Sequence, residues 1–168
     1  MKRNHIVFIL CISLLTLLAA IGLADGTKTY ALGTSSFTID IPENYVELEL
    51  TPEDLADDMV AYLDTDDSSL TINIYQFSKE GYPDTPGEYA AKEGEEYGAS
   101  EINKDDKIGD VPVGWYRAVE PFNDKLFRTL TYVFEDGKDY LEICFWLTDE
   151  NSEQNAKTII GTLKASAK

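Results

Sequence analysis

The stretch YLEICFWLTDE, residues 140–150, holds Cys144, the one cysteine besides Cys11 near the start of the chain. A nucleophilic cysteine needs a lowered thiol pKa, drawn from a base, a positive charge or a helix N-terminus. The sequence supplies none of these. The only histidine is His5. A chain cut after residue 24 therefore has no Ser–His or Cys–His pair, no imidazole metal ligand and no histidine acid or base. Glu142, two residues away on the same strand face, pushes the thiol pKa up. Cys144 stands among large apolar residues, where a free cysteine acts as a small hydrophobe. It reads as a packing residue. No catalytic residue and no cofactor are assigned, and the chain reads as a non-enzyme.

Two other groups carry potential chemistry. In LDTDDSSL, Asp64, Asp66 and Ser68 alternate as in the first half of a calcium loop. The sixth position, which needs glycine, is Ser69, and the twelfth, which needs a bidentate glutamate, is Tyr75. The stretch is a solvated hairpin tip, with Asp64, Asp66 and Asp67 as a weak Ca2+ candidate. The second group is GWYRAVE with KLFRTL. Arg117 and Arg128 are the only arginines after Arg3. A hairpin turning on 121–124 sets Glu120 opposite Lys125 and Arg117 opposite Arg128. Like charges so placed need carboxylates between them, supplied by Glu120, Glu142 or helix acids; the alternative is a small anion-binding spot. Trp, Tyr and Arg often dominate binding energy, so Trp115, Tyr116, Arg117 and Arg128 form the candidate binding surface. Carboxylate pairs fit for glycoside hydrolysis stay open, since 31 acidic residues supply many chance pairs.

These side chains must be held by elements that the pattern predicts. Phe37, Ile39 and Ile41 alternate with polar residues, the period of a half-buried strand ended by Pro42. Thr51-Pro52 with Asp54, and Thr85-Pro86 with Glu88, are two helix starts. Met59–Leu63 and Leu70–Phe77 form a hairpin between them. A weaker strand near Ser100–Lys104 precedes KIGDVPV, read as a turn. The GWYRAVE hairpin follows, and Asp136-Gly137 signals the turn into YLEICFWL. Ala156, Ile159, Ile160 and Leu163 recur at helical spacing in the last segment. Leu141, Ile143, Phe145 and Leu147 alternate with Tyr140, Cys144 and Trp146, so the late strands are apolar on both faces. The expected fold is α+β: a mostly antiparallel sheet of about six or seven strands, with helices on both faces.

The chain begins with Lys2-Arg3, an apolar run from Ile6 to Leu23, and Gly22-Leu23-Ala24. That is the pattern of an export signal cut after Ala24; the run is long enough for an uncleaved anchor to stay open. Residues 25–168 then form a single domain. Without Lys2 and Arg3, 12 basic residues face 31 acidic ones, a net charge of −19. Such a surface repels nucleic acid and anionic lipid; a membrane is engaged only through an uncleaved leader. The expected location is secreted or extracytoplasmic.

FTIDIPENY, GDVPVGWYRAV and the closing LTYVFEDGKDYLEICFWL…NAKTIIGTL resemble the PsbP-like superfamily over roughly residues 28–163. The resemblance implies an α/β/α sandwich and brings no catalytic motif. Members of that superfamily mostly bind other proteins, so it implies an exported binding module for a protein or cell-envelope component. The alternatives are a carboxylate-based hydrolase and a module for glycans or cations.

Overall fold

The computed structural model describes residues 26–33, 36–122 and 125–165. The expected leader, with its cut after Ala24, lies outside them. In chain order the elements are β1 (Thr27–Ala31), β2 (Phe37–Pro42), β3 (Val46–Glu47), α1 (Pro52–Ala56), β4 (Met59–Asp64) and β5 (Leu70–Ser78). Then come α2 (Pro86–Glu96), β6 (Glu101–Ile108), β7 (Val111–Phe122), β8 (Lys125–Asp136), β9 (Asp139–Leu147), α3 (Glu150–Ile160) and β10 (Lys164–Ala165). Seven strands form one antiparallel sheet in the order β3-β4-β5-β9-β8-β7-β6. A separate three-stranded sheet has the order β1-β2-β10.

Local chemistry fixes the helix starts. Thr51 accepts from the Asp54 amide at 3.2 Å, and its own amide donates to the Asp54 carboxylate at 2.7 Å, with Pro52 in the first turn. Thr85 accepts from the Glu88 amide at 3.2 Å. Asp149 accepts from the Ser152 amide at 2.7 Å, while Ser152 Oγ accepts from the Asp149 amide at 3.0 Å. Each cap satisfies amides that the first helical turn leaves unpaired. Gly137, at φ +65°, makes the β8–β9 turn, a backbone conformation that disfavours a side chain.

The two faces of the large sheet differ. One carries Ile72, Ile74, Leu130, Phe134, Leu141, Ile143, Phe145 and Leu147, packed against Ile39 and Ile41 of β2 and Ala156, Ile159 and Ile160 of α3. Each such fully buried side chain stabilises the fold by about 1.5–3 kcal/mol. This face therefore supplies most of the stability. The cover is a helix and a small sheet together, which the sequence reading did not separate. The other face carries a smaller cluster, Tyr89, Ala90, Tyr116, Ala118, Val133 and Tyr140, under α2. Helix α2 lies close because two glycines meet there. A Cβ on Gly114 would stand 2.5 Å from the Pro86 carbonyl and 2.7 Å from Gly87 Cα, and one on Gly87 would collide with the Lys104 carbonyl.

Two details correct the sequence reading. The KIGDVPV turn shrinks to Gly109-Asp110, because β6 runs to Ile108 and β7 starts at Val111. The charged residues of β6 suit an edge strand, where they discourage pairing with other chains, and so hide the strand pattern. The β7–β8 hairpin closes between Phe122 and Lys125, not across 121–124, which sets Glu120 opposite Phe127, Arg117 opposite Leu130 and Arg128 opposite Val119. The register pairs of β6 with β7 end at Arg117, leaving an edge on which the missing amide of Pro121 is tolerated.

Candidate binding cleft

Helix α2 covers the β6–β7–β8 side of the second face and leaves the rest beneath an open cleft of about 410 Å³. Strand alternation sets which residues share this face, and of the rows that follow Tyr75, Tyr116, Glu142, Cys144 and Trp146 line the cleft. Across the sheet, Tyr75, Glu142, Val133 and Gly114 form one row. The next row is Asn73, Cys144, Thr131 and Tyr116, and the one beyond is Thr71, Trp146, Thr129 and Ala118. From α2, Tyr89, Glu93 and Tyr97 form one wall; Glu120 stands on β7, and Phe77, Tyr82, Asp57 and Asp58 lie toward the rim. Among the described residues the lining holds neither lysine nor arginine.

Glu142 is the centre of this arrangement. It is half-buried by exposure to water, yet protein surrounds it except at the cleft. Burial first, and the charges of Glu93 and Glu120 second, push its carboxyl up to about 8; a hydrogen bond from Tyr89 works against the rise. At neutral pH the group therefore holds its proton. Glu120 accepts from the Thr129 hydroxyl at 2.7 Å. Burial, reinforced by the neighbouring acids, raises the phenols of Tyr75, Tyr89 and Tyr116 far above their ordinary range. Asn73 is 6% exposed, its Nδ2 lies 3.5 Å from the Tyr75 hydroxyl, and its Oδ1 has no hydrogen-bond partner among the described residues.

Cys144 lies in the floor at 5% exposure. Burial, with Glu120 adding to it, raises its thiol well above the ordinary value. A thiol that is both sheltered and protonated is a poor nucleophile. A bulky maleimide should label it slowly in the native protein and rapidly in denaturant. Cys144→Ala should destabilise by about 1 kcal/mol through a small cavity. Native labelling as fast as that of a free thiol would contradict the packing role.

The residues singled out from sequence lie in several places. Trp115 is half-buried against the main core, its indole N–H donating to Asp106 at 2.7 Å. Tyr116 is 2% exposed on the opposite face, where it lines the inner end of the cleft. Arg117 pairs with Glu101 and with Glu153 of α3, each at 2.6 Å, so its partners are an edge-strand acid and a helix acid. Arg128 is exposed, diagonal to Arg117. The four do not meet on one surface, and Gly114 admits Pro86 and Gly87 of the chain's own helix. At the hairpin tip, Asp64 accepts from the Thr65 amide and from the Ser68 and Thr71 hydroxyls, and Asp67 accepts from the Thr65 hydroxyl and Ser69 amide. Those acids organise their own loop. Among the described residues no three His, Cys, Asp or Glu side chains gather as a metal site. The sequence reading missed Glu142, Glu93 and Glu120 as a group. The one available signal was a lone glutamate in a strand otherwise apolar on both faces.

No family model and no curated protein matches the chain. Solved structures do. A protein from Bacteroides thetaiotaomicron VPI-5482 aligns at TM-score 0.59 and 16% identity, covering 86% of this chain and 50% of that one, so this chain spans half its length. The cyanobacterial PsbP protein CyanoP of Synechocystis sp. PCC 6803 aligns at TM-score 0.57 and 7% identity, over 87% of this chain and 95% of that one. LpqN of Mycobacterium tuberculosis, described as involved in cell envelope biogenesis, aligns at TM-score 0.52 and 12% identity, over 84% and 91% of the two chains. The fold is PsbP-like, as the sequence resemblance implied. Among the described residues no helix is long and apolar enough to cross a membrane.

Proposed function

We propose that this protein is an extracytoplasmic, non-enzymatic binding module that engages a protein or cell-envelope component through the cleft over its second sheet face. The observation that carries the reading is the floor: a half-buried glutamate, phenols and an indole border an open cleft, where the core face is filled. A fold that needed only stability would fill this face with apolar side chains, as it fills the other. Export rests on the leader, and the envelope role of LpqN, a protein of like fold, is in keeping with it.

A second reading has its own support. Glu142 keeps its proton near neutral pH beside Glu93 and Glu120, the pairing of acid and base that a glycoside hydrolase uses. One experiment separates the readings. The exported domain is crosslinked in the envelope of its own organism, with Tyr82→Ala/Tyr97→Ala and Arg128→Ala as variants. These residues are exposed, so the fold should survive. The cleft reading expects a crosslinked partner that the double tyrosine variant loses and Arg128→Ala keeps. The reverse pattern returns the site to the Trp115–Arg128 hairpin. Release of sugar from envelope glycans, abolished by Glu142→Gln, would make the protein a hydrolase.

A further inference from the structure

We infer that the β3–β4–β5 half of the second sheet face docks a basic amphipathic helix of a partner protein. The inference rests on this face being the binding side, and it names the segment that the partner brings. The cover of the face is one-sided. Helix α2 rests on β6, β7 and β8, and α3 packs into the core on the opposite face. The other half is left with α1, five residues long and without a buried side chain. Strand register puts apolar groups on that half. Val46 pairs with Asp64, and Leu48 donates its amide to the Tyr62 carbonyl. Val46 and Leu48 therefore share the side of Tyr62, Asp64 and Asn73. Val46 is 52% exposed, Leu48 39%, and Leu55 of α1 60%. Helix α1 stands beside this row: burial first, and then the charges of Asp64 and Asp54, raise the Tyr62 phenol. Asp57 and Asp58, which follow α1, already line the cleft, so the two surfaces are continuous. Exposed apolar residues gathered in this way, unlike scattered single ones, mark an interaction site.

Charge identifies the occupant. From Val46 to Ser78 the chain carries nine acidic residues and no lysine or arginine. A second copy of this chain would set like charge against like, and anionic lipid is repelled in the same way. A segment with apolar anchors between lysines or arginines meets both the exposed side chains and the acids around them. Shape decides between strand and helix. Strand addition needs a free edge of some length, and β3, the edge strand here, has two residues. A helix is about 10–12 Å across, which matches three strands spaced about 4.8 Å apart. Helix α2 shows that this sheet face seats one. A second helix laid on the uncovered half completes the layer that α2 begins.

The test is a fluorescence-anisotropy and NMR titration of the exported protein with a capped peptide of leucine and lysine set at helical spacing. Two controls are the same composition scrambled, so that no apolar face forms, and the same pattern with glutamate for lysine. The patterned basic peptide should bind saturably at physiological salt and shift the amides of β3, β4 and β5. The scrambled peptide should bind about tenfold more weakly, and the acidic one should not compete. Leu48→Ser/Leu55→Ser changes two exposed residues, so the fold should survive, as circular dichroism checks. It should weaken the basic peptide about tenfold, since two anchors are no longer buried. Binding no tighter than that of the scrambled peptide, or unchanged by Leu48→Ser/Leu55→Ser, would overturn the inference. The same variant enters the envelope crosslinking. It should lose the partner that Tyr82→Ala/Tyr97→Ala loses, and mass spectrometry should place the crosslink in a basic amphipathic segment. A crosslink to a second copy of this chain, or to an acidic segment, also overturns the helix. If the leucine variant keeps the partner and the tyrosine variant loses it, the helix site falls and the cleft stands. If only the leucine variant loses it, the helix site stands and the cleft falls; if neither does, both fall.

Discussion

Glu142→Gln should make the protein more stable at pH 8, by about 2 kcal/mol, and should change it far less at pH 5. Unfolded, the carboxyl titrates near 4.5; folded, it titrates at about 8. Between these values the folded chain holds a proton that the unfolded chain has released, so stability falls as pH rises through the window. Below 4.5 both states are protonated, and above 8 both are ionised, so the loss is complete there. Each pKa unit is worth about 1.4 kcal/mol, and water in the cleft screens part of the full shift, which reduces the expected effect to about 2 kcal/mol. Burial makes most of the shift, Glu93 from α2 and Glu120 from β7 add to it, and the hydrogen bond from Tyr89 of α2 opposes it. Other acids shift the opposite way. Hydrogen bonds from Thr29 and Lys164 lower Asp40, and one from Lys157 lowers Glu153. What these two contribute is present above their ordinary pKa values and is lost as pH falls through the depressed ones. Maximal stability should therefore lie in the mildly acidic range. Thermal unfolding of both proteins from pH 4 to 9 measures this, with an expected rise of about 4–8 °C for the variant at pH 8. Parallel curves for the two proteins across that range would mean that Glu142 is ionised in the fold.

That penalty fits the binding role proposed for the cleft. A glutamine would fill the same space with less strain on the fold, so the carboxylate is retained at a stability cost, as binding and catalytic sites commonly are. Its position was hard to see in the chain, whereas the helix starts were plain. Thr51-Pro52 and Thr85-Pro86 announce themselves because a cap acts within four residues. The Asp136-Gly137 turn is equally local. The cleft is not local. Glu142, Glu120 and Glu93 come from β9, β7 and α2 and meet only after the sheet is ordered and the helix docked. Among 31 acids no spacing marks those three. The same reason hid the small sheet: β10 is two residues long and pairs with β2 from the other end of the chain. Charged β6 and Pro121 misled for another reason. Both obey rules for sheet edges, and a sequence read strand by strand does not show which strands are edges.

Gly114→Val should destabilise the protein by about 3 kcal/mol or more, among the larger effects that one substitution produces. The glycine has ordinary extended surroundings in β7, and its need is one of space. Its ideal Cβ meets the Pro86 carbonyl at 2.5 Å, Gly87 Cα at 2.7 Å and Ala90 Cβ at 2.8 Å. Two of those atoms are backbone at the start of α2, capped by Thr85 and followed by the tightly seated Gly87. No side chain can rotate aside, so the helix itself must move. A valine adds two methyl groups to that collision, and overpacking of this kind costs about 1–3 kcal/mol, occasionally more. The displaced helix carries Tyr89, Glu93 and Tyr97, one wall of the cleft. A surviving fraction of folded protein should therefore also lose the Glu142–Tyr89 contact. Gly161→Ala is the control: its Cβ would meet the Lys157 carbonyl at 3.1 Å and the Thr158 carbonyl at 3.4 Å, at an αR helix end, and its effect should stay within about 1 kcal/mol. Urea denaturation of the three proteins gives the comparison. If Gly114→Val unfolds at the wild-type midpoint, α2 does not rest on β7, and the wall it provides to the cleft must be placed elsewhere.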